Sequence, residues 1–260
     1  LKLYQVEAVV LGLKTMREAD KIITIFSREY GKQRVVAHGA SKATSRKRGA
    51  VQPLCHSRML LYRGRELDSV SQCDGITFFT ELRGNLEKLT LALYLCELVD
   101  GLSAEYQQNE PLFVLLLTTL GWLNRPFIDL PRAEKMVAGF ELKMMGLMGY
   151  LPELGCCVNC GAGIKGNKIT FSVKNGGVMC ENCRGTDPQA LAINEQTLHL
   201  MRRLLVTRPG GLPEIEMPPV IFNQLKRVLR SLTRHYLERR AKSLDFLEFL
   251  HKKPLWRGKY

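Results

Sequence analysis

Four of the eight cysteines in this 260-residue chain stand in two CxxC pairs, Cys157-Val158-Asn159-Cys160 and Cys180-Glu181-Asn182-Cys183. Two thiolates three positions apart can grip one ion from a tight turn. A second pair closes a tetrahedron, and this spacing is that of a four-cysteine zinc site. Gly161 and Gly163 follow the first pair and Gly176-Gly177 precedes the second, where the backbone must bend. Four protein ligands leave no open position for water or substrate. The sequence therefore predicts one structural Zn2+ held by Cys157, Cys160, Cys180 and Cys183. Cys156 offers an alternative ligand as Cys156-x3-Cys160, and the matched CxxC spacing favours Cys157. Buried structural cysteines or a redox pair would use the same residue type without needing two matched pairs. Cys55, Cys73 and Cys96 are scattered, which argues against a disulfide framework and for a reducing compartment.

The second chemically capable group is cationic. Between Gly39 and Gly49 stand Lys42, Arg46, Lys47 and Arg48, interleaved with Ser41, Thr44 and Ser45. Small residues suggest flexibility. Cations with hydroxyls between them suit phosphate contacts that read no bases. Lys14, Arg17, Lys21, Arg28, Lys32 and Arg34 would extend the patch, and Tyr4, Phe26, Tyr30 and Tyr62 are candidate stacking rings. Core packing is the plainer reading for each ring and is favoured for Phe26. A solvated loop is the plainer reading for the cation run. Near the C-terminus Arg227, Arg230 and Arg234 share one helix face at spacings of three and four. They suit phosphate, an acidic partner or a solvated outer face.

Net charge is +13 and is segregated. Residues 1–80 carry fourteen Lys and Arg against seven Asp and Glu, and residues 220–260 carry eleven against three. Residues 81–155 reverse the sign, with six against ten. Basic ends around an acidic middle point to a polyanion, most often nucleic acid. Catalysis has little support. The five histidines are dispersed, no GxxxxGK[ST] cradle is present, and no HxE motif accompanies the cysteines. The longest apolar run, Pro111 to Leu120, is too short to span a bilayer, and Leu1 to Leu13 alternates rather than forming a leader. A soluble, cytoplasmic, non-enzymatic protein is expected.

The elements that must position these groups change character along the chain. Gln5–Leu11, Lys21–Phe26, Gln33–His38, Leu54–Tyr62 and Glu66–Ser71 read as strands, with one long basic loop between the third and fourth. Five short strands suggest an OB-type barrel, though other small barrels share the pattern. From Phe78 to Gly149 the period is helical. Asn109 and Asp129-Leu130-Pro131 mark helix starts, and Met136, Phe140, Met144, Leu147 and Met148 form an apolar stripe. Ile169 to Val173 alternates as a short strand in the cysteine module. A helix follows from Asn194 to Val206, then a Gly/Pro-rich stretch to Pro219, a basic helix Val220–Arg240 and a short helix Leu244–Leu250.

This order of features resembles the RecO family of bacterial DNA repair and recombination mediators. The matching residues are Gly39-Ala40-Ser41, Ser45-Arg46-Lys47-Arg48-Gly49-Ala50-Val51-Gln52-Pro53, and Gly149-Tyr150-Leu151-Pro152-Glu153-Leu154 running into Cys157-x2-Cys160-Gly161. Phe171, Gly176-Gly177 and Cys180-x2-Cys183 complete them. The resemblance implies an α+β protein with an N-terminal five-stranded OB-fold barrel, an all-α helical bundle and an inserted four-cysteine zinc-finger-like module. The expected boundaries are 1–78 for the DNA-binding barrel, 79–152 and 188–260 for the two parts of the helical domain, and 153–187 for the zinc module. It implies binding to single- and double-stranded DNA and annealing of complementary strands. It also implies action with RecR and RecA, contact with the C-terminal tail of the single-stranded DNA-binding protein, and a nucleoid-associated place in the bacterial cytoplasm. Lys32, Arg34, Lys42, Arg46, Lys47 and Arg48 are the DNA contacts expected here, with Arg227, Arg230 and Arg234 as further DNA or partner contacts. A zinc-ribbon RNA-binding or transcription-associated factor is the alternative that shares the charge and the cysteines.

Overall fold

A computed structural model describes residues 2–16, 18–45, 47–166 and 168–252. The chain runs through β1 (Leu3–Thr15), β2 (Lys21–Ser27), β3 (Gly31–Ala37), β4 (His56–Tyr62) and β5 (Asp68–Thr77). The helices α1 (Thr80–Arg83), α2 (Leu86–Leu102), α3 (Glu110–Leu123) and α4 (Leu130–Leu147) follow. Then come β6 (Ile169–Ser172), β7 (Gly177–Met179), β8 (Leu191–Ile193), α5 (Glu195–Val206), α6 (Pro219–Leu237) and α7 (Lys242–Lys252). Two compact units result, Leu1–Ile128 with Ala241–Tyr260, and Asp129–Arg240.

The first unit holds a closed barrel in the order β1-β2-β3-β5-β4, with β4 returning to β1. Every pairing is antiparallel except β3 with β5, which meet in parallel at Val35↔Asp68 and Val36↔Ser69. This is the expected OB-like barrel. Alternate residues fill it: Val6, Ala8 and Val10 from β1, Ile23 and Ile25 from β2, and Met59 and Leu61 from β4. Register shifts at Val10/Gly12 of β1 and at two places between β4 and β5 supply the bends that closure needs.

Strand limits differ from the sequence reading: β1 runs from Leu3 to Thr15 rather than Gln5 to Leu11, β3 from Gly31 to Ala37 rather than Gln33 to His38, and β4 and β5 are shifted as well. β4 starts at His56 because Leu54 takes a left-handed backbone (φ 69) while its amide bonds the Val10 carbonyl. β5 runs on to Thr77, through Asp74 and Gly75, because β4 supplies a ladder that local propensity does not reveal.

The α2 and α3 helices begin where Asn85 and Asn109 accept the Lys88 and Leu112 amides. The chain returns to this unit as α7, whose first amides, Lys242 and Ser243, both donate to the Glu97 carboxylate on α2 at 3.0 Å.

In the second unit α4, α5 and α6 share a core with the sheet β7-β6-β8. Leu142, Phe171, Met201, Leu225 and Leu229 are its buried centre. Met136, Phe140 and Met144 of the expected stripe are buried, whereas Leu147 is exposed. The Gly/Pro-rich stretch is ordered by a 3-10 turn, Pro209–Glu214, which seats Leu212 against Gly139. No helix among the described residues is long and apolar enough to cross a membrane.

Candidate metal centre and nucleic-acid interface

The first CxxC pair sits on a turn closed by Gly161 N–H to the Cys157 carbonyl at 2.8 Å, with Gly161 in a left-handed conformation (φ 73). The second follows β7 and turns through Cys183 N–H to the Cys180 carbonyl at 3.1 Å. Val158 N–H donates to the Val178 carbonyl at 2.9 Å and ties the first turn to β7. As a result the sulfurs of Cys157, Cys160, Cys180 and Cys183 all lie within 4.8 Å of one another. The Cys160 and Cys180 sulfurs are 3.8 Å apart. Metal–thiolate bonds of ~2.3 Å in a tetrahedron imply about that edge, so the residues fit a metal ion.

Supporting donors surround the thiols. Asn159 Nδ2 donates to the Cys183 sulfur at 3.4 Å. Burial raises the Cys157 thiol pKa. Backbone N–H groups of Cys180, Cys160 and Asn159 outweigh that and bring it down to about 6. The Cys183 thiol moves the other way, up to about 11, despite the Asn159 bond, because it shares hydrogen bonds with the Cys160, Cys180 and Cys157 sulfurs; the clustered thiols favour one charge among them rather than four. Cys156 is half-buried and outside the group of four, and its amide donates to Glu153 Oε1 at 3.2 Å. The cluster is able to hold a metal ion with all four positions filled by protein.

The basic loop is folded onto the barrel rather than free. Ala40, Ala50 and Val51 are buried in the barrel core. Successive turn bonds run along the backbone, from Lys42 to Gly39, Ser45 to Lys42, Arg48 to Ser45 and Val51 to Lys47. The Asp20 carboxylate, before β2, accepts Gly39 N–H at 2.8 Å and lies 2.9 Å from His38 Nδ1. Arg83 of α1 donates to the Pro53 carbonyl at 2.9 Å. Asp20 and Arg83 position the loop, and nothing in their local sequence signals it, because their partners are distant in the chain.

The expected cations meet different fates. Lys42 and Arg48 are exposed. Lys47 is half-buried and donates to the Val70 carbonyl at 2.5 Å. Arg17 and Arg46 lie outside the described residues. Lys32 is largely covered, donating to the Asp100 carbonyl and lying 3.7 Å from its carboxylate. Arg34 pairs with Glu105 at 2.8 Å. In the second unit Arg227, Arg230 and Arg234 are exposed on α6, and Arg227 reaches the Ala192 carbonyl at 3.4 Å.

Of the candidate rings, Phe26 is core. Tyr4 is pinned by Asp68 and Gln33, edge-on to Tyr30 at 5.1 Å. Tyr30 is half-buried and Tyr62 exposed.

Comparison with known proteins agrees with this architecture along the chain. Residues 1–87 match the family model described as "Recombination protein O N terminal", and residues 83–245 match "Recombination protein O C terminal". The chain is 40% identical over 258 residues to the "DNA repair protein RecO" of Desulforamulus reducens, covering 99% of each. It is 40% identical to that of Pelotomaculum thermopropionicum over 258 residues, covering 99% of this chain and 98% of the other. For Desulforudis audaxviator the identity is 40% over 247 residues, covering 95% and 97%. With an OB-like barrel, a helical region and a four-cysteine cluster in the expected order, and both halves of the chain matched, the protein belongs to the RecO family.

Proposed function

We propose that this chain is a non-enzymatic recombination mediator that binds single- and double-stranded DNA, anneals complementary strands and helps load RecA onto DNA coated by the single-stranded DNA-binding protein. The observation that carries this reading is a cation-bearing loop with exposed Lys42 and Arg48, its backbone pinned to an OB-like barrel. A pinned loop presents charge without the ordering cost of a free one. Lys42, Arg46, Lys47 and Arg48 are the principal phosphate contacts. Arg34 joins them by exchanging the exposed Glu105 for phosphate, an exchange that costs little because exposed ion pairs are weak. Lys32, held by Asp100, contributes to the field.

Cations that neutralise phosphates release counterions and reduce repulsion between two strands. Holding both strands on one protein raises their effective concentration, so annealing quickens without bond chemistry. The metal is one Zn2+, held by Cys157, Cys160, Cys180 and Cys183, and its role is structural. Arg227, Arg230 and Arg234 are an additional surface for DNA or an acidic partner. RecR and the acidic tail of the single-stranded DNA-binding protein are the partners, and the place of action is the nucleoid in the bacterial cytoplasm. The working parts are the barrel (1–78), the helical parts (79–152 and 188–260) and the zinc module (153–187).

The test is the triple variant Arg46→Ala, Lys47→Ala, Arg48→Ala. Each lost phosphate contact lowers the slope of log K against log salt by ~0.9 on duplex and ~0.7 on single strands, so a fall of about two to three is expected. Annealing of DNA coated by the single-stranded DNA-binding protein should slow in parallel. An unchanged salt titration refutes the loop's role. Tighter binding to structured RNA than to either DNA form would favour the RNA-binding alternative.

A further inference from the structure

Phe78 lies between β5 and α1 with 43% of its surface exposed, while its neighbour Phe79 is 4% exposed. Three features hold the exposed ring in place. First, Phe79 adopts a left-handed backbone (φ 48, ψ 56), which is costly for a non-glycine residue. That bend follows an irregularity in the β4–β5 ladder at His56/Ser57, opposite Gly75–Thr77. Together they fold Phe78 back onto its own strand.

Second, the ring uses space that Gly75 leaves empty. A Cβ on Gly75 would lie 2.2 Å from Phe78 Cζ and 2.9 Å from both Cε atoms, so the ring rests on Gly75 by its tip. With its tip on Gly75 the residue still exposes 43% of its surface. Third, the last residue of the basic loop is its neighbour, since a Cβ on Gly49 would lie 3.8 Å from Phe78 Cε1.

Two arginines are associated with this ring, one through the chain and one through a backbone bond. Arg48 precedes Gly49 and is exposed. Arg83 is exposed and donates through Nε to the Phe78 carbonyl at 3.1 Å and through Nη2 to the Pro53 carbonyl at 2.9 Å. Carbonyl acceptors carry no charge, so these bonds fix the guanidinium without cancelling it. Asp74, beside Gly75, stands opposite Arg58 across the ladder. A part-exposed ring with Arg83 bonded to its own carbonyl and Arg48 next in the chain to its Gly49 neighbour suits a nucleobase and the phosphates beside it. Stacking needs only a π-face and is sequence-tolerant.

We propose that Phe78 is a base-stacking contact for single-stranded nucleic acid, seated on Gly75, with Arg83 bonded to its carbonyl and Arg48 next in the chain to its Gly49 neighbour. The proposal rests on the DNA-binding reading above and adds a preference of form. Duplex bases are stacked on one another and cannot reach the ring, whereas bases of an unpaired strand can. The basic loop then serves both forms and Phe78 serves one.

The test compares wild type with Phe78→Ala, Phe78→Leu, Phe78→Tyr and Gly75→Ala on oligothymidine and on a duplex of equal length, over a salt series. Phe78→Ala is expected to weaken oligothymidine binding about 5- to 100-fold, with duplex binding within about twofold and the salt slope unchanged. Phe78→Leu keeps an apolar cover over Gly75, guards against a folding defect and should show the same selective loss. Phe78→Tyr should restore binding. Gly75→Ala, which displaces the ring, should reproduce the loss. Wild-type oligothymidine affinity in folded Phe78→Leu overturns the stacking role, while a persisting defect in the loop triple variant leaves the DNA-binding reading standing. Equal loss on both forms, or failure of Phe78→Tyr to restore binding, also overturns it. If wild type binds neither DNA form, both readings fall together.

Discussion

Glu7 sits on β1 with its carboxylate taken by His56 Nε2 at 2.9 Å and by Arg28 at 3.3 Å, and Arg28 reaches on to Glu110 at 2.8 Å. The Arg28 guanidinium also lies 5.0 Å over the Phe113 ring. A cation that reads as part of a phosphate patch in the sequence is therefore a tie between the barrel and α3. Lys32 is likewise held by Asp100 of α2, whereas Arg34 meets Glu105 of the α2–α3 connection in an exposed and therefore weak pair. Burial raises the Glu7 pKa, but hydrogen bonds from His56 and Arg28 outweigh it and hold the carboxyl below its usual range. A depressed folded pKa gives stability that is full above the unfolded value of ~4.3 and is lost as pH falls through the folded value. Glu7→Gln should cost about 1–3 kcal/mol at pH 7 and flatten the stability profile below about pH 5. Denaturant titrations across pH check this, and identical acid limbs in the two proteins would count against it. The cysteines were legible at this scale because each pair is local. The ion pairs were not, because Glu7 and His56 are 49 positions apart and Arg28 and Glu110 are 82 apart.

Elements were legible where period and caps agree. The caps Asn109, Asp129 and Asn194 begin α3, α4 and α5 as the sequence implies, each accepting an amide three residues on. Elements made by pairing were less so. The end of β5 and the folding of the basic loop onto the barrel depend on neighbours that no local window contains. The β2–β3 hairpin shows how tightly such neighbours fit. Gly31 takes φ 68, and a Cβ there would stand 1.9 Å from the Gln107 carbonyl oxygen in the α2–α3 connection. Tyr106 N–H bonds the Lys32 carbonyl at 2.8 Å alongside. Gly31→Ala should therefore destabilise by more than about 3 kcal/mol, through strain and displaced backbone together. A shift of the urea midpoint measures it, and a change under about 1 kcal/mol would show that the connection gives way freely.

At the scale of the molecule the cysteine cluster and the barrel belong to different units. In the second unit Cys157 and Cys183 pack with Met179 in a small cluster of their own, beside the sheet that joins the main core. Ile169, Phe171 and Val178 of its sheet share the core of α4, α5 and α6. A structural metal should thus support the whole of Asp129–Arg240, and chelation should cost that unit several kcal/mol. Thermal melting with and without chelator is the check. Early proteolysis is expected within residues 153–187, while the DNA salt slope set by the barrel stays unchanged. Melting indifferent to the chelator would remove the structural role. A lost salt slope would show that the cluster supports the barrel's binding.

From residue order alone came the four-cysteine cluster, the five-stranded start, the helical remainder and the segregated charge, because each rests on short-range spacing, period or composition. Folding decided which cations remain open and which are consumed by carboxylates far along the chain. It also folded a loop of small residues onto the barrel, and set Phe78 against Gly75 with Gly49 of the loop and Arg83 of α1 near it. Those outcomes depend on which distant groups become neighbours. Burial and pairing energies are properties of contacts, and contacts between remote positions exist only once the chain has closed.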